Sequence, residues 1–220
     1  MKNKEEKMED CMQNYIVTIA RGFGSGGKEI GTKLGLRLGI PCYEREILTM
    51  ASQKNNIDES LFVDKDEKLK GNYIVNWLRK NPSIYICEPQ ENDFVSDNNL
   101  FQLQAELIRE LAETQSCIIV GKCADDILKD YRNVISVYVE APRDACVKSI
   151  CSKMYVSEER ANQLIRKTDK YRANYYNYYT GGKEWTNPVN YDLVLNSDRA
   201  GRDNCVEILI SYLRIRKFIP

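Results

Sequence analysis

Residues 15–38 read YIVTIARGFGSGGKEIGTKLGLRL, and this stretch predicts the centre of the fold. It opens with six mostly apolar and β-branched residues, a pattern typical of a strand that is buried on both faces. Five glycines follow within ten residues, at positions 22, 24, 26, 27 and 31. Ile30, Leu34 and Leu38 then recur every fourth position, which indicates a helix, and a Gly-Ile-Pro sequence ends it. The order of strand, glycine loop and helix predicts a cradle for phosphate groups.

The glycine loop has the G-x-x-x-x-G-K spacing of a P-loop. Backbone without Cβ atoms can wrap a polyphosphate and point successive N–H groups at it. The following helix adds its N-terminal amides and the positive end of its dipole. We therefore predict that the phosphates of a polyphosphate ligand bind Gly22, Gly24, Ser25, Gly26, Gly27, Lys28 and Glu29. A glycine-rich turn that serves packing alone is the alternative.

The residue after Lys28 departs from the motif, which places a Ser or Thr hydroxyl there to hold Mg²⁺. This chain has Glu29 at that position. Ser25 or Thr32 could supply an oxygen instead, or water could bridge. The sequence does not decide among these, so we assign no certain metal ligand and keep Ser25 as a candidate.

Length and composition indicate an ordinary globular protein. The 220 residues favour one α/β domain with an insertion, and 43% are hydrophobic and 29% charged. Lys plus Arg and Asp plus Glu each total 32, which argues against a general nucleic-acid or membrane-surface binder. We expect a solvated tail over residues 1–14 and a single domain over 15–220. The chain shows neither a signal-peptide core nor a membrane span, so we expect a cytoplasmic protein.

The chain has eight cysteines and no histidine. The cysteines include no C-x-x-C pair, and several lie in apolar runs, so we expect reduced and partly buried thiols. The lack of histidine removes the commonest general base and most catalytic metal sites. Phosphoryl transfer remains possible because the protein there mainly positions the reactants and neutralises charge.

Four further strands are predicted, at 40–43, 116–120, 134–139 and 191–195. Lys122 follows the second of these, and ligands of doubly wound sheets gather at such carboxyl ends, so Lys122 is a candidate phosphate contact. Glu44 and Arg45 lie at the corner where the acceptor enters P-loop kinases. The alternatives are a solvated Lys122 and ordinary helix-start charges for the other two.

A long helix is predicted from a cap at Ser157 to the glycines at 181 and 182. Arg166, Asp169, Arg172 and Tyr176 fall within an arc of roughly 120° on this helix. The planar fork of arginine suits phosphate, so Arg166 and Arg172 are candidates to neutralise a migrating phosphoryl group. A solvated helix stabilised by ion pairs among these residues is the alternative.

Taken together, these segments resemble the cytidylate kinase-like family of P-loop proteins, within the nucleoside monophosphate kinase fold. The matching segments, in family order, are RGFGSGGKEIG (21–31), IPCYEREI (40–47), IIVGKCADDIL (118–128), DKYRANYYNYYTG (169–181) and NYDLVLNS (190–197). The resemblance implies an α/β three-layer P-loop kinase fold in which helices flank a parallel five-stranded sheet. It also implies a helical lid, which we place over 157–182, and we interpret residues 55–99 as an inserted acceptor-binding segment over the mouth of the active site.

The resemblance further implies ATP with Mg²⁺ as the donor and CMP or dCMP as the acceptor. Carried over by position, the loop and Lys28 would hold ATP, and the acceptor region and lid would contain Glu44, Arg45, Lys122, Asp169 and Arg172. The family commonly has Asp at position 44 and Arg at position 122. Lys122 keeps the charge but cannot make a bidentate contact.

The leading hypothesis is therefore a kinase that acts on small-molecule nucleotides. Two alternatives stay open. One is a nucleotide-binding regulatory protein with impaired catalysis, motivated by Glu29 and Lys122. The other is a kinase for a non-nucleotide metabolite. The sequence leaves the acceptor base, the oligomeric state and the role of residues 55–99 undetermined.

Overall fold

The structure, a computed structural model, describes residues 14–55 and 97–220. Almost all of the predicted tail and of the predicted insertion lies outside these ranges. The chain divides into two compact units, one formed by residues up to Glu44 with Arg109–Pro220 and the other by Arg45–Ile108. The domain boundaries predicted from the sequence stay predictions.

The first unit contains a parallel sheet of five strands in the order β2-β3-β1-β4-β5. The strands are β1 Ile16–Arg21, β2 Cys42–Tyr43, β3 Cys117–Val120, β4 Val134–Glu140 and β5 Leu193–Asn196. The central strand β1 pairs with β3 on one side and with β4 on the other. The predicted five-stranded parallel sheet is therefore confirmed. The carboxyl ends of β1, β2 and β3 meet at one edge, where the glycine loop begins.

Helices flank this sheet and also make up the described part of the second unit. They are α1 Gly27–Leu38, α2 Glu46–Asn55, α3 Asp97–Thr114, α4 Ala124–Ile127, α5 Arg143–Met154, α6 Glu158–Tyr179, α7 Ser197–Ala200 and α8 Arg202–Ile215. A single 3₁₀ turn covers Pro188–Asn190. The sequence analysis missed α4 and α7, because a helix of four residues is too short to show a repeating apolar pattern.

Buried apolar side chains hold α1 against β1, so that the loop between them has a defined position. Val17 and Ile19 of β1 are fully buried and pack with Ile30 and Leu34 of α1 in one core cluster, which also includes Leu209 of α8. Each such side chain stabilises the fold by roughly 1.5–3 kcal/mol. The position of the glycine loop is therefore set by the core beneath it.

A second cluster joins α5 to α6. It contains Val147 and Ile150 of α5 and Ala161 and Ile165 of α6. The predicted cap of α6 is also present, since the Ser157 side chain accepts a hydrogen bond from the amide of Arg160. The start of α6 is thus held against α5, and its second half extends toward the sheet edge described below.

The six cysteines in the described ranges are free thiols, in agreement with the expected reduced state. They lie at positions 42, 117, 123, 146, 151 and 205. Burial raises the pKa of Cys117 to about 12, so this thiol stays protonated at neutral pH. Across residues 14–55 and 97–220, the structure has no helix that is both long and apolar enough to cross a bilayer.

Candidate phosphate-binding site

The glycine loop leads from β1 into the N-terminus of α1. The first backbone hydrogen bond of the helix runs from the amide of Ile30 to the carbonyl of Gly26, at 3.0 Å. The amides of Gly27, Lys28 and Glu29 precede this bond and therefore have no acceptor within the helix. They present N–H groups and the positive end of the helix dipole at the same point, which is an anion-binding arrangement.

The loop depends on glycine where it turns into α1. Gly26 has a φ of +86°, in the left-handed region, and a Cβ there would lie 2.5 Å from Nε of Arg202. An L-residue would be strained in this backbone conformation and would also displace the guanidinium. Arg202, at the start of α8, thus lies directly against the loop, although no sequence motif pointed to it.

A cleft of about 400 Å³ opens over the loop, entirely within the first unit. We call it the phosphate cleft. Its lining residues are Arg21, Gly22, Phe23, Gly24, Gly26, Gly27, Lys28, Glu29, Thr32, Glu44, Ser149, Ile150, Lys153 and Arg172. Four of these side chains are cationic and two are anionic. The cleft therefore combines the backbone donors of the loop with a concentration of positive charge.

Glu44 lies between two of the cations. One carboxylate oxygen is 2.8 Å from Nη2 of Arg21, and the other is 2.5 Å from Nζ of Lys28. Burial alone would raise the pKa of Glu44, but Arg21 and Lys28 outweigh it, and the pKa is lowered. The ionised carboxylate holds both cations in the cleft. Arg21 is 16% exposed and Lys28 is 65% exposed, so only the lysine is open to solvent.

Glu29, which stands where the motif has a hydroxyl, is ion-paired to three cations. Its carboxylate is 3.1 Å from Nζ of Lys153 and 3.5 Å from Nζ of Lys33, and it also contacts the guanidinium of Arg202. Burial opposes the ionised form, but these cations lower the pKa of Glu29 overall. The acid therefore ties α1 to α5 and α8 at the mouth of the cleft.

The hydroxyls considered for Mg²⁺ have different positions. Ser25 is buried, and its hydroxyl donates to the carbonyl of Gly22 at 2.9 Å, so it stabilises the loop from within. Thr32 is exposed and lines the cleft, and its hydroxyl donates to the carbonyl of Lys28 at 3.1 Å. Among the residues that the structure describes, Ser25 is not part of the cleft lining. Its role as a metal ligand stays a prediction.

The oxygen donors in the cleft suit a hard cation. Thr32, Glu29 and Glu44 line it, and Mg²⁺ is usually held by one or two carboxylates together with phosphate oxygens and water. In the described ranges, no group of three or more Cys, Asp and Glu side chains could enclose a metal by itself. The donor set thus fits Mg²⁺ that enters with a nucleotide.

Helix α6 contacts the glycine loop through two residues of the predicted arc. Oδ1 of Asp169 accepts the amide hydrogen of Phe23 at 2.8 Å. Nη1 of Arg172 donates to the carbonyl of Arg21 at 2.8 Å, and its guanidinium lies 5.6 Å from the centroid of the Phe23 ring. Burial raises the pKa of Asp169, which the Phe23 amide and Arg172 only partly oppose. In this conformation Asp169 holds the loop, and its role in acceptor binding stays a prediction.

The other two residues of the arc differ sharply. Tyr176 is buried and donates to Oδ2 of Asp125 at 2.7 Å, in α4, the one-turn helix that follows β3. Arg166 is exposed, and it is not among the described residues that line the cleft. The structure therefore brings Arg172 into the phosphate cleft and leaves Arg166 in solvent. The catalytic assignment of Arg166 stays a prediction.

Two acceptor candidates lie outside the lining that the described residues form. Lys122 is half-buried at the carboxyl end of β3, with a φ of +64°. Arg45 belongs to the second unit, where it is exposed. The predicted acceptor contacts of both residues are untested.

Sequence reasoning missed four charged residues that surround the loop: Arg21, Glu140, Lys153 and Arg202. Glu140, the last residue of β4, accepts hydrogen bonds from the Tyr138 hydroxyl at 2.7 Å and from the Ala141 amide at 2.9 Å. Its carboxylate lies so close to the loop that a Cβ on Gly22 would be 2.3 Å from Oε1. Arg21 could have been suspected from its position next to the loop. The others are distant in sequence and belong to no motif.

Solved structures with similar folds include kinases. An uncharacterized protein from Eubacterium ventriosum ATCC 27560 has 26% identity and a TM-score of 0.67, over 91% of this chain and 99% of that one. Shikimate kinase from Bacteroides thetaiotaomicron has 12% identity and a TM-score of 0.50, over 91% and 98%. A sugar kinase from Janibacter sp. HTCC2649 has 14% identity and a TM-score of 0.50, over 92% and 96%. The two kinases show a shared fold alone.

A search of curated proteins gave no match. A match to a family model covers most of the chain, from residue 16 to residue 199. This range begins at the first residue of β1 and extends through β5, so it includes the glycine loop, the phosphate cleft and α6. Membership in this family indicates a P-loop phosphotransferase, and P-loop kinases in general use ATP and Mg²⁺. The family match does not identify the acceptor. The chain belongs to the cytidylate kinase-like family.

Proposed function

We propose that this protein transfers the γ-phosphoryl group of ATP to a nucleoside monophosphate, with CMP or dCMP as the first acceptors to test. The observation that carries the proposal is the composition of the phosphate cleft. The side chains of Arg21, Lys28, Lys153 and Arg172 line one cavity together with the first residues of α1, whose amides have no acceptor within the helix. Phosphoryl transfer needs such fixed positive charge around the migrating group, and it needs little covalent chemistry from the protein.

The loop and Lys28 would bind the donor. The helix amides would hold phosphate oxygens, and Lys28 would exchange Glu44 for a phosphate, because its ammonium is the exposed member of that ion pair. Thr32, which lines the cleft, would help to hold Mg²⁺, which supplies charge neutralisation between the donor phosphates when it is bound. Lys28 thus has a partner in both the free and the bound state.

Helix α6 would complete the site around the transferred group. Arg172 already lines the cleft, so a small movement of α6 would bring its guanidinium onto a phosphate. Arg166 would need a larger movement, since it is exposed in this conformation. Closure of this kind excludes water and adds positive charge where it develops in the transition state. A strong general base is not needed, because the acceptor phosphate is already an anion.

The acceptor would bind beside the donor, at the carboxyl ends of β2 and β3. Glu44, Arg45 and Lys122 are the proposed contacts from these strand ends. Asp169 would join them after α6 moves, because its carboxylate holds the Phe23 amide in the present conformation. This assignment predicts that acceptor binding and the position of α6 are coupled.

A second candidate is a nucleotide-binding protein with little catalysis. The observation that favours it is the ion pairing of Glu29 with Lys33, Lys153 and Arg202, at the position where the motif has a metal-binding hydroxyl. Such a protein would bind ATP in the phosphate cleft without turning it over, because the side chain that normally coordinates Mg²⁺ is absent.

The test is an ADP-release assay with CMP, dCMP, UMP, AMP and GMP, followed by shikimate and a panel of sugars. We expect turnover with CMP or dCMP, and its absence in the Lys28→Met variant, which controls for contaminating kinases. If only shikimate or a sugar supports turnover, the acceptor is not a nucleotide and this part of the proposal is wrong. ATP binding in calorimetry without turnover of any acceptor would support the second candidate.

A further inference from the structure

Arg21 has a fixed place in the phosphate cleft that the motif does not explain. It is the last residue of β1, and its side chain passes two glycines. A Cβ on Gly27 would lie 2.5 Å from the Cβ of Arg21, and a Cβ on Gly121 would lie 2.1 Å from Nη1. Both glycines leave space that the arginine fills. The guanidinium is therefore held at the carboxyl ends of β1 and β3.

The guanidinium also has donors available for a ligand. Nη2 donates to Glu44 at 2.8 Å, and across residues 14–55 and 97–220 it is the only guanidinium nitrogen of Arg21 with a hydrogen-bond partner. Arginine carries five N–H donors in a planar fork that matches two oxygens of a phosphate. A half-buried, oriented guanidinium with one carboxylate partner can bind a second anion through its remaining donors.

Arg21 and Lys28 contact different oxygens of the Glu44 carboxylate, so the two cations lie on either side of one acid. The donor phosphates would face the amides of the glycine loop and Lys28, at the start of α1. The Arg21 guanidinium extends from Glu44 toward Gly121 after β3, where the acceptor is proposed to bind. Lys122 is the next residue after Gly121, and a lysine cannot form the two parallel hydrogen bonds that an arginine forms.

We propose that Arg21 binds the phosphate of the acceptor and supplies the bidentate contact that Lys122 cannot make. This inference rests on the proposed function, because it needs an acceptor that carries a phosphate. The competing explanation is structural, with Arg21 serving only to neutralise Glu44.

The experiment measures acceptor binding with the donor site filled by a non-hydrolysable ATP analogue. CMP and inorganic phosphate are titrated separately, and cytidine is the probe without phosphate. The variant is Arg21→Lys, which keeps the charge beside Glu44 and removes the fork. Arg37→Lys is the matched control, since Arg37 is an exposed arginine of α1 that is ion-paired to Glu207.

We expect Arg21→Lys to weaken CMP and phosphate binding by about tenfold or more, and to change the affinity for the ATP analogue by less than about threefold. Cytidine binding should change little. Equal weakening of the ATP analogue, or no weakening of CMP and phosphate, would overturn the proposal. If wild-type protein binds phosphate but not CMP, the proposed nucleotide acceptor is wrong. In that case, weaker phosphate binding by Arg21→Lys would still support the proposed role of Arg21, and unchanged phosphate binding would overturn it. Wild-type protein that binds neither probe overturns the proposal as well.

Lys122→Arg gives a second test, and its first measurement, in the presence of Arg21, does not depend on the folding of an Arg21 variant. If Arg21 already supplies the fork, Lys122→Arg alone should change phosphate affinity by less than about threefold. In the Arg21→Lys background the same substitution should restore most of the lost affinity. A tenfold gain from Lys122→Arg in the presence of Arg21 would show that the fork was missing, and the proposal would be wrong.

Discussion

The turns after β1 and β3 both contain left-handed backbone, but different residue types occupy it. Both follow buried strands that pair with each other, and both lead into a helix within a few residues. The turn after β1 has glycine at both of its positive-φ positions, whereas the turn after β3 has Gly121, Lys122 and Cys123 there in succession, with φ of +81°, +64° and +54°. Left-handed backbone is costly for residues with a Cβ.

The difference indicates a division of roles between the two turns. The glycine loop leads into helix amides that have no acceptor within α1. The segment after β3 instead positions side chains: Lys122 is half-buried in the turn, and Asp125 is buried in α4, where it accepts a hydrogen bond from the hydroxyl of Tyr176. Helix α6 contacts both segments, through Asp169 and Arg172 near the glycine loop and through Tyr176 at α4. Substitutions in the two turns should therefore affect different properties.

The largest effect should come from the glycine loop. Lys28→Met should lower the rate of ADP release by about 10³-fold or more, because a cation fixed on the transferred phosphate is lost. Thermal stability should change little, since Lys28 is 65% exposed. Lys33→Met, one turn further along α1, is the control and should keep its activity. Normal turnover by the Lys28→Met variant would contradict a role for Lys28 in phosphoryl transfer.

The contact of α6 with the same loop should matter less. Arg172→Ala should lower kcat by roughly 10²-fold, since Arg172 lines the cleft and holds the carbonyl of Arg21. Arg166→Ala should lower kcat by about tenfold if α6 closes as proposed. Arg160→Ala, also on α6, is the control and should be neutral. Steady-state kinetics of the three variants tests this ranking, and a neutral Arg166→Ala would withdraw that residue from catalysis.

Helix α4, which follows the turn after β3, should affect stability in a pH-dependent way through Asp125. Burial raises the pKa of Asp125 to about 6, above its ordinary value, although Tyr176 donates to it. The unfolded chain therefore loses this proton at lower pH than the folded chain does. The free energy of unfolding should then fall as the pH rises from about 4 to 6 and stay lower above that.

Asp125→Asn cannot ionise, so it should raise the free energy of unfolding by about 2–3 kcal/mol at pH 7.5 and by little at pH 4. Urea denaturation at the two pH values measures the difference. Asp126→Asn is the matched control, because Asp126 is ion-paired to Lys183 at 2.6 Å and should not gain stability at pH 7.5. An Asp125→Asn variant with the same change at both pH values would contradict the raised pKa.

The smallest effect should come from the contact between α6 and α4, which Tyr176 and Asp125 form. Tyr176→Phe leaves the buried carboxylate of Asp125 without the hydroxyl that now donates to it. The expected loss is about 1–2 kcal/mol at pH 7.5. Tyr178→Phe, an exposed tyrosine on the same helix, is the control. In the Asp125→Asn background the loss should shrink, and strict additivity would mean that the two side chains are not coupled.

The sequence alone determined the elements whose signal is local. The strand, glycine loop and helix of residues 15–38 were predicted because burial on both faces, left-handed backbone and helical spacing each restrict residue type over a few positions. The parallel five-stranded sheet followed from the resemblance. The one-turn helices α4 and α7 were missed because they are too short to repeat a pattern.

Only the tertiary structure decided which side chains surround the loop. Arg172 and Arg166 carry the same charge on the same predicted face, yet one lines the phosphate cleft and the other is exposed. The contacts of Glu29 with Lys153 and Arg202, and of Asp125 with Tyr176, join residues that are more than 50 positions apart. Such pairs are set by the packing of helices on the sheet and leave no periodic trace in the chain. The sequence therefore predicted a phosphate-binding loop, and the fold decided which charges surround that loop.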